Sequence, residues 1–529
     1  MSGRAGGAAV GLGVAVAAAH LALLPAWIAA TARPSLAVTW PTGLAAETPG
    51  TGTVAAGVAA EVTRDGDGPG LVTTRFTAHY RGGVTRTATA ATLVGPFQDP
   101  AAPPCSGRLV VSQRLLDRAD DGSVIAVLRR ELHATLDGTE VFGLGRFRSV
   151  DDVSLRWTGL ADRPAEAGMF PRQAVRAPTP GGYLRAQATV AFDRLKLVVV
   201  VGALPRTDGG ELGFTVGVRA HLAVDNRALA WLVDRLGVDR LATRLARGQL
   251  DRALVSTLGP PPPLVLPDGQ TLTIALCRDR PVAVVDGAYA ALPLAWQLGP
   301  AVPTADGVAI RPPARGPVAW PPPDADADLT IDLDLDGVNG LLYELWRTGQ
   351  LDRQLDRLAL ADRFNQHPTV AGFLSLRLAA PRLALPPVVA PAPPDHLRLG
   401  VVAALTITDG DRATPATAIG SAEIGLAGGD AIAAAVAITG LDATCAPAPH
   451  RLEPCYGVVF DAIRDATGDT HAALGAALST TLTELFVARR VEAAQAPAAL
   501  IIDRARAAVI ADGGAVRLAL AAHLAPPAD

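Results

Sequence analysis

The 529-residue chain carries a formal net charge of −4, with 49% apolar and 19% charged residues. That composition excludes wholesale disorder, and the length exceeds what one core normally supports. With a small negative charge, and Lys196 as its only lysine, the chain has no basic field for a phosphate backbone, so nucleic acid is excluded as a partner.

Residues 1–32 read as an export signal. Arg4 gives a short positive end, Ala8 to Ala30 is apolar, and Ala30-Thr31-Ala32 closes it in a small-x-small cleavage pattern. The run is also long enough for a retained membrane anchor, although His20 and Pro25 make a poor span. Everything after it is expected outside the cytoplasm: periplasmic, in the cell envelope, or secreted. Cys105, Cys277, Cys445 and Cys455 are an even number in an exported chain and none stands in a CxxC spacing, so disulfides are the default. Cys445 and Cys455 flank a short proline-containing loop. Of the three possible pairings, 445–455 with 105–277 is therefore the one expected.

From about Leu71 the pattern is that of strands. Leu212, Phe214, Val216, Val218, Ala220 and Leu222 alternate with smaller or polar neighbours, and Leu397, Leu399, Val401, Ala403, Leu405 and Ile407 do the same in the second half. Asn226 can cap an amphipathic helix carrying Leu229, Leu232 and Leu236, which runs on to about Leu258. Gly259 and four prolines stop it, and an Asp268-Gly269 turn leads into a further strand. Val302 to Pro323 is proline-rich and reads as a linker between an N-terminal domain, 33–301, and a C-terminal domain, 324–529. The second half closes in the same order, with a helix marked by Leu474, Leu478, Leu482 and Leu485, then Pro497, then Asp512-Gly513 and a strand. That repetition predicts an internal duplication.

The segment 328–351 is an alternating strand running into a helix. Asp332, Asp334 and Asp336 before Gly337 imitate the start of a calcium loop, but the bidentate carboxylate would then fall at Tyr343. The preferred reading puts Leu329, Ile331, Leu333 and Leu335 on the buried face, the aspartates in water, and Asp336 as cap of a helix from Val338 to Leu358.

The strand, its capping residue, Asn339, and the run Leu341-Leu342-Tyr343-Glu344-Leu345-Trp346-Arg347-Thr348-Gly349-Gln350-Leu351 resemble the opening of the C-terminal barrel in one known family. This is the bactericidal/permeability-increasing, lipopolysaccharide-binding and lipid-transfer protein family, part of the tubular lipid-binding superfamily. The resemblance is specific over about 25 residues, and the proline-rich linker and the closing helix and strands match in order. It implies an α+β, mostly antiparallel β fold, with two tandem curved barrels each closed by a long amphipathic helix. It also implies an apolar tunnel for phospholipid or another acyl lipid, and transient membrane contact. Leu229, Leu232 and Leu236 from one helix and Leu341, Leu342 and Leu345 from the other are the natural lining residues. The chain departs from the family in lacking a lysine-rich tip and in holding a cysteine pair in its second half.

Catalysis finds little support. There is no GxSxG elbow, HExxH pair or phosphate-cradling loop, and His133 beside Glu131 reads as surface charge. No catalytic residue, cofactor or metal is assigned. A lipid carrier is the leading expectation, and an exported structural or adhesive β protein with dry cores is the alternative. Intact-mass measurement without reduction is expected to find a mature chain beginning near Arg33 with two disulfides. A mass retaining residues 1–32, or four alkylatable thiols, contradicts this.

Overall fold

The computed structural model describes residues 50–98, 105–205, 214–223, 264–298, 310–444 and 499–525 apart from short gaps. It adds isolated pieces at 38–39, 243, 451–452, 475–479 and 490–491. In chain order the longer elements are β1 Gly50–Ala55, β2 Val58–Asp65, β3 Gly70–His79, β4 Thr85–Val94, β5 Gly107–Ser112, α1 Gln113–Asp117 and α2 Val124–Leu136. There follow β6 Gly145–Gly159, β7 Gly182–Phe192, β8 Lys196–Pro205, β9 Phe214–Ala223, β10 Thr271–Leu276, β11 Ala283–Val285 and β12 Tyr289–Leu298. The C-terminal part supplies β13 Leu329–Asp334, α3 Leu335–Arg347, α4 Gln350–Arg357, β14 Arg382–Ala392, β15 His396–Asp409 and β16 Arg412–Ala427. It ends with β17 Ala433–Thr444, β18 Ala499–Ile510 and β19 Ala515–Ala525. The fold is mostly antiparallel β with few helices. The described strands form five open sheets rather than closed rings.

The largest sheet is built by both ends of the chain. Its longer strands run β10, β12, β5, β13, β19, β18, so that β5 from the first half and β13 from the second lie side by side at the centre. Leu109 faces Ile331 there. On either side of that pair the Ser112 N–H donates to the Asp328 carbonyl at 3.0 Å and the Asp334 N–H to the Ser106 carbonyl at 2.9 Å. Each central strand passes directly into a helix, α1 after β5 and α3 after β13. In the first half the helix-opening strand is β5. The matching positions also correct the repeat as read from sequence. The strand after Asp286-Gly287, not the one after Asp268-Gly269, occupies the place that β19 takes after Asp512-Gly513. The Gln113 N–H reaches the Ala288 carbonyl at 2.6 Å, as the Leu335 N–H reaches that of Gly514 at 3.0 Å.

β13 keeps Leu329 and Leu335 buried as the sequence predicts, but its aspartates do not face water. Asp328 and Asp332 are fully buried and Asp334 is 4% exposed, whereas Ile331 and Leu333 keep partial access to solvent. The reason lies across the sheet. Asp332 stands in register with Arg108 on one neighbouring strand and Arg517 on the other, and both guanidinium groups bind it, each at 2.7 Å. The linker seals this charged layer: Arg517 donates to the carbonyls of Pro322 at 2.8 Å and Pro321 at 3.1 Å, and Arg108 also reaches Pro321. The ring of Trp320 covers Arg108 at 5.4 Å. The cap of α3 is Asp334, not Asp336, and the helix starts three residues earlier than expected. It breaks at Thr348-Gly349, where Gly349 takes φ 71°, before α4 continues.

α3 lies along β14, whose Pro386 and Pro387 cannot donate to a further strand. Asn339 takes that place with its side chain, donating to the Val389 carbonyl at 3.0 Å and accepting from the Val389 N–H at 2.8 Å. The first four strands, placed with the N-terminal domain by sequence, pack instead on the C-terminal sheet, with β3 against β14 and β4 against β16 and β17. A Cβ on Gly400 would sit 2.7 Å from the Leu71 side chain, which is why β15 carries glycine there.

Removing one member of a buried charge layer leaves the others uncompensated. Arg108 and Arg517 are 13% exposed and Asp332 is 0% exposed, so Asp332→Asn is expected to cost about 3–5 kcal/mol in urea unfolding. The combined Arg108→Met, Asp332→Leu, Arg517→Met variant is expected to recover most of that loss. Equal stability of Asp332→Asn and the parent chain would show the layer to be dispensable.

Candidate functional site

The linker covers the Arg108–Asp332–Arg517 layer on the charged side of the central sheet, and the apolar side is the candidate site. Leu329, Val516, Leu518 and Leu520 from β13 and β19, Ala505 from β18, Leu335 from α3, Val389 and Leu397 from β14 and β15, and Leu115 from α1 form one buried cluster. Around it, Ile331, Leu333, Leu342, Leu399, Ile424 and Leu426 pack against the cluster yet remain only partly buried. The interior thus lies between the central sheet, α3 and the sheet β14–β16. Leu109 and Val111 of β5 join it from the other half of the chain.

The expected lining residues divide into three groups. Leu342 belongs to this interior, beside Val338. Leu341 and Leu345 are partly buried on α3 but are not brought into the cluster. Leu229, Leu232 and Leu236 lie outside the described residues. Sequence reasoning looked to helices for the lining and missed the strand residues Ile331, Leu333, Leu399 and Ile424. Their signal was the period-2 alternation, which marks two different faces without saying which one is reached by solvent.

Two hydroxyls attach the segments read as amphipathic helices to sheet edges. Thr243 donates to the Ala220 carbonyl at 3.2 Å and accepts from the Ala220 N–H at 3.0 Å, on the edge strand β9. Ser479 accepts from the Val436 N–H at 2.8 Å on the edge strand β17. Both bonds cover edge groups that would otherwise be free to pair elsewhere. Cys105 and Cys277 form the expected disulfide, while Cys445 and Cys455 lie outside the described residues. Residues 1–32 do so as well, and among the described residues no helix is long and apolar enough to cross a membrane.

At the joint between β13 and α3 the acidic residues are occupied. Asp332 spends both oxygens on arginines, and Asp334 accepts from the Asp336 N–H at 2.9 Å. Asp336 accepts from the backbone N–H groups of Arg315 and Gly316 at 2.7 and 3.0 Å. Burial pushes the Asp334 carboxyl up to about 6, the adjacent Asp336 charge adds to the rise, and Arg280 and Arg315 oppose it. Burial likewise raises Asp336.

No family model matches the chain, and no curated protein matches it. Among solved structures it is similar to one described as "Crystal structure of lipopolysaccharide binding protein". The match has 10% identity and a TM-score of 0.33, and covers 80% of this chain and 100% of the other. Agreement that loose assigns neither family nor ligand, and the site rests on its own geometry.

Since the folded state raises the Asp334 pKa above its unfolded value, it binds that proton more tightly. The group therefore adds stability as pH falls through about 6 and withdraws it as pH rises. A rise of about two units corresponds to at most about 3 kcal/mol. Asp334→Asn keeps a capping side chain and is expected to be the more stable protein at pH 7.5, with the difference falling to about 1 kcal/mol near pH 4.5 and vanishing only below the ordinary carboxylate range. Urea melts at both values check this, and a difference independent of pH contradicts it.

Proposed function

We propose that this chain is a lipid-binding protein of the lipid-transfer type, acting outside the cytoplasm and holding acyl chains against the apolar side of its central sheet. One observation carries the reading: β13 buries its aspartates on one side and leaves Ile331 and Leu333 only partly buried against the apolar cluster on the other. A water-soluble protein gains nothing from that arrangement unless the apolar side meets an apolar ligand. The Cys105–Cys277 disulfide supports an oxidising compartment, and the resemblance at 328–351 supports the lipid class. In this reading Leu342, Ile331, Leu333 and Leu399 line the C-terminal compartment. Thr243 and Ser479, each bonded to a sheet edge, mark where the closing helices of that reading would attach. Binding and exchange, with transient membrane contact, are the function, rather than catalysis.

The energetics fit a carrier. At about 0.8 kcal/mol per methylene, a sixteen-carbon chain gains about 12 kcal/mol on leaving water but almost nothing on leaving a bilayer. A compartment merely as apolar as a bilayer can therefore both take up and release it.

Lipid extraction with mass analysis of the gently purified protein is expected to yield a two-chain lipid. Leu342→Asp is expected to reduce that lipid several-fold with a modest loss of melting temperature, and Leu341→Asp to leave occupancy near the parent value. In a dry core, Leu342→Asp would instead cost several kcal/mol of stability, and the parent chain would carry no lipid and take up no fluorescent acyl probe. That pair of results would sink the carrier reading.

A further inference from the structure

The charged side of the central sheet holds a cleft that the lipid reading leaves unused. It has a volume of about 390 Å³, and its lining includes Arg114, Asp326, Arg504, Arg506, Leu520 and Ala521. That size falls within the usual range for small-molecule sites. β18 and β19 form the floor, where Arg504 stands in register with Ala521 and Arg506 with Ala519. Two arginines thus rise from one face of β18 over a floor of methyl groups. A break in register between Ile502 and Arg504 marks the place where β18 is locally re-aimed.

Most charges around the cleft are already matched. Arg114 binds Asp328 at 2.8 Å, and the same carboxylate takes Arg118 at 3.3 Å and the Ala522 N–H at 2.9 Å. Arg506 binds Asp324 at 3.1 Å. Two opposite charges remain. Arg504 and Asp326 are both exposed, line the same cleft, and make no ion pair with each other or with another side chain among the described residues. A guanidinium fork suits a phosphodiester or carboxylate, and a free carboxylate suits an ammonium. A doubly charged phosphomonoester would meet the repulsion of Asp326, whereas a molecule with one charge of each sign satisfies both groups.

We propose that this cleft binds a small zwitterion bearing one phosphodiester or carboxylate group, held by Arg504, and one ammonium group, held by Asp326. The cleft reaches the apolar interior only at Leu520, since Arg517, Ala519 and Ala521 alternate along β19 with the cluster residues Val516, Leu518 and Leu520. Its charged contacts are distinct from the apolar cluster, so the soluble probes below test it without reference to lipid carriage.

Titration calorimetry on the full chain with glycerophosphoethanolamine tests it, with glycerophosphoglycerol as the probe that keeps the diester and lacks the ammonium. Sedimentation with phosphatidylethanolamine vesicles is the second arm. The first probe is expected to bind more tightly than the second. Arg504→Ala is expected to weaken it about tenfold or more, the loss of one charge-assisted contact. Asp326→Asn is expected to abolish the preference between the probes. Arg504 has no partner to lose, so its variant should melt with the parent, and Arg504→Gln gives a second readout. Arg504-dependent binding to vesicles alone would identify the zwitterion as a lipid headgroup, and binding of the soluble probe as a free metabolite. If neither arm shows binding, or if binding survives Arg504→Ala unchanged, the proposal is overturned.

Discussion

A carboxylate with no access to water needs cations at short range, and Asp332 imposes that demand at the middle of the largest sheet. Arg108 and Arg517 meet it from the two flanking strands. Their remaining donors need acceptors as well, which the carbonyls of Pro321 and Pro322 supply. The linker is therefore docked rather than free. With one side of the sheet committed to this charged layer, the apolar side chains of β13, β5 and β19 must face the other way. Everything placed there, from α3 to the sheet β14–β16, is arranged around that choice.

The polar pairings at the strand–helix joint follow the same logic of saturation. Asn339 satisfies both backbone groups of Val389 where prolines prevent a strand from doing so, and Asp336 satisfies two linker N–H groups. These short polar links hold α3 at a fixed height above the sheet while its leucine side stays free of hydrogen bonding.

Strands and a helix directly after β13 were legible in the sequence, because alternation is a local signal, although the cap is Asp334 and not the expected Asp336. The sidedness of β13 was not legible. Alternation of Asp with Leu and Ile looks the same whether the aspartates meet water or arginine, and the two arginines come from strands 224 and 185 residues away in sequence. The repeat was read from a shared Asp-Gly turn and helix, yet two such turns occur near the end of the first half, and only the pairing of strands decides which one matches Asp512. The N-terminal meander was assigned by proximity in the chain, whereas β3 and β4 find their apolar partners on β14, β16 and β17. The strand lining of the site was missed for the same reason as the charged layer: a face becomes interior only through what is laid across it.

The shared sheet also bears on how the protein is made. β5 emerges early during synthesis, but its neighbour β13 and the arginine-bearing β19 come from the far side of the linker. The meander at 50–94 must likewise wait for residues 382–444. Neither the first sheet nor the central one can be completed by the nascent N-terminal segment alone, so unpaired β edges persist until the last strand is released. A chain with that dependence leaves those strand edges open to pairing with other chains while the C-terminal strands are still to come.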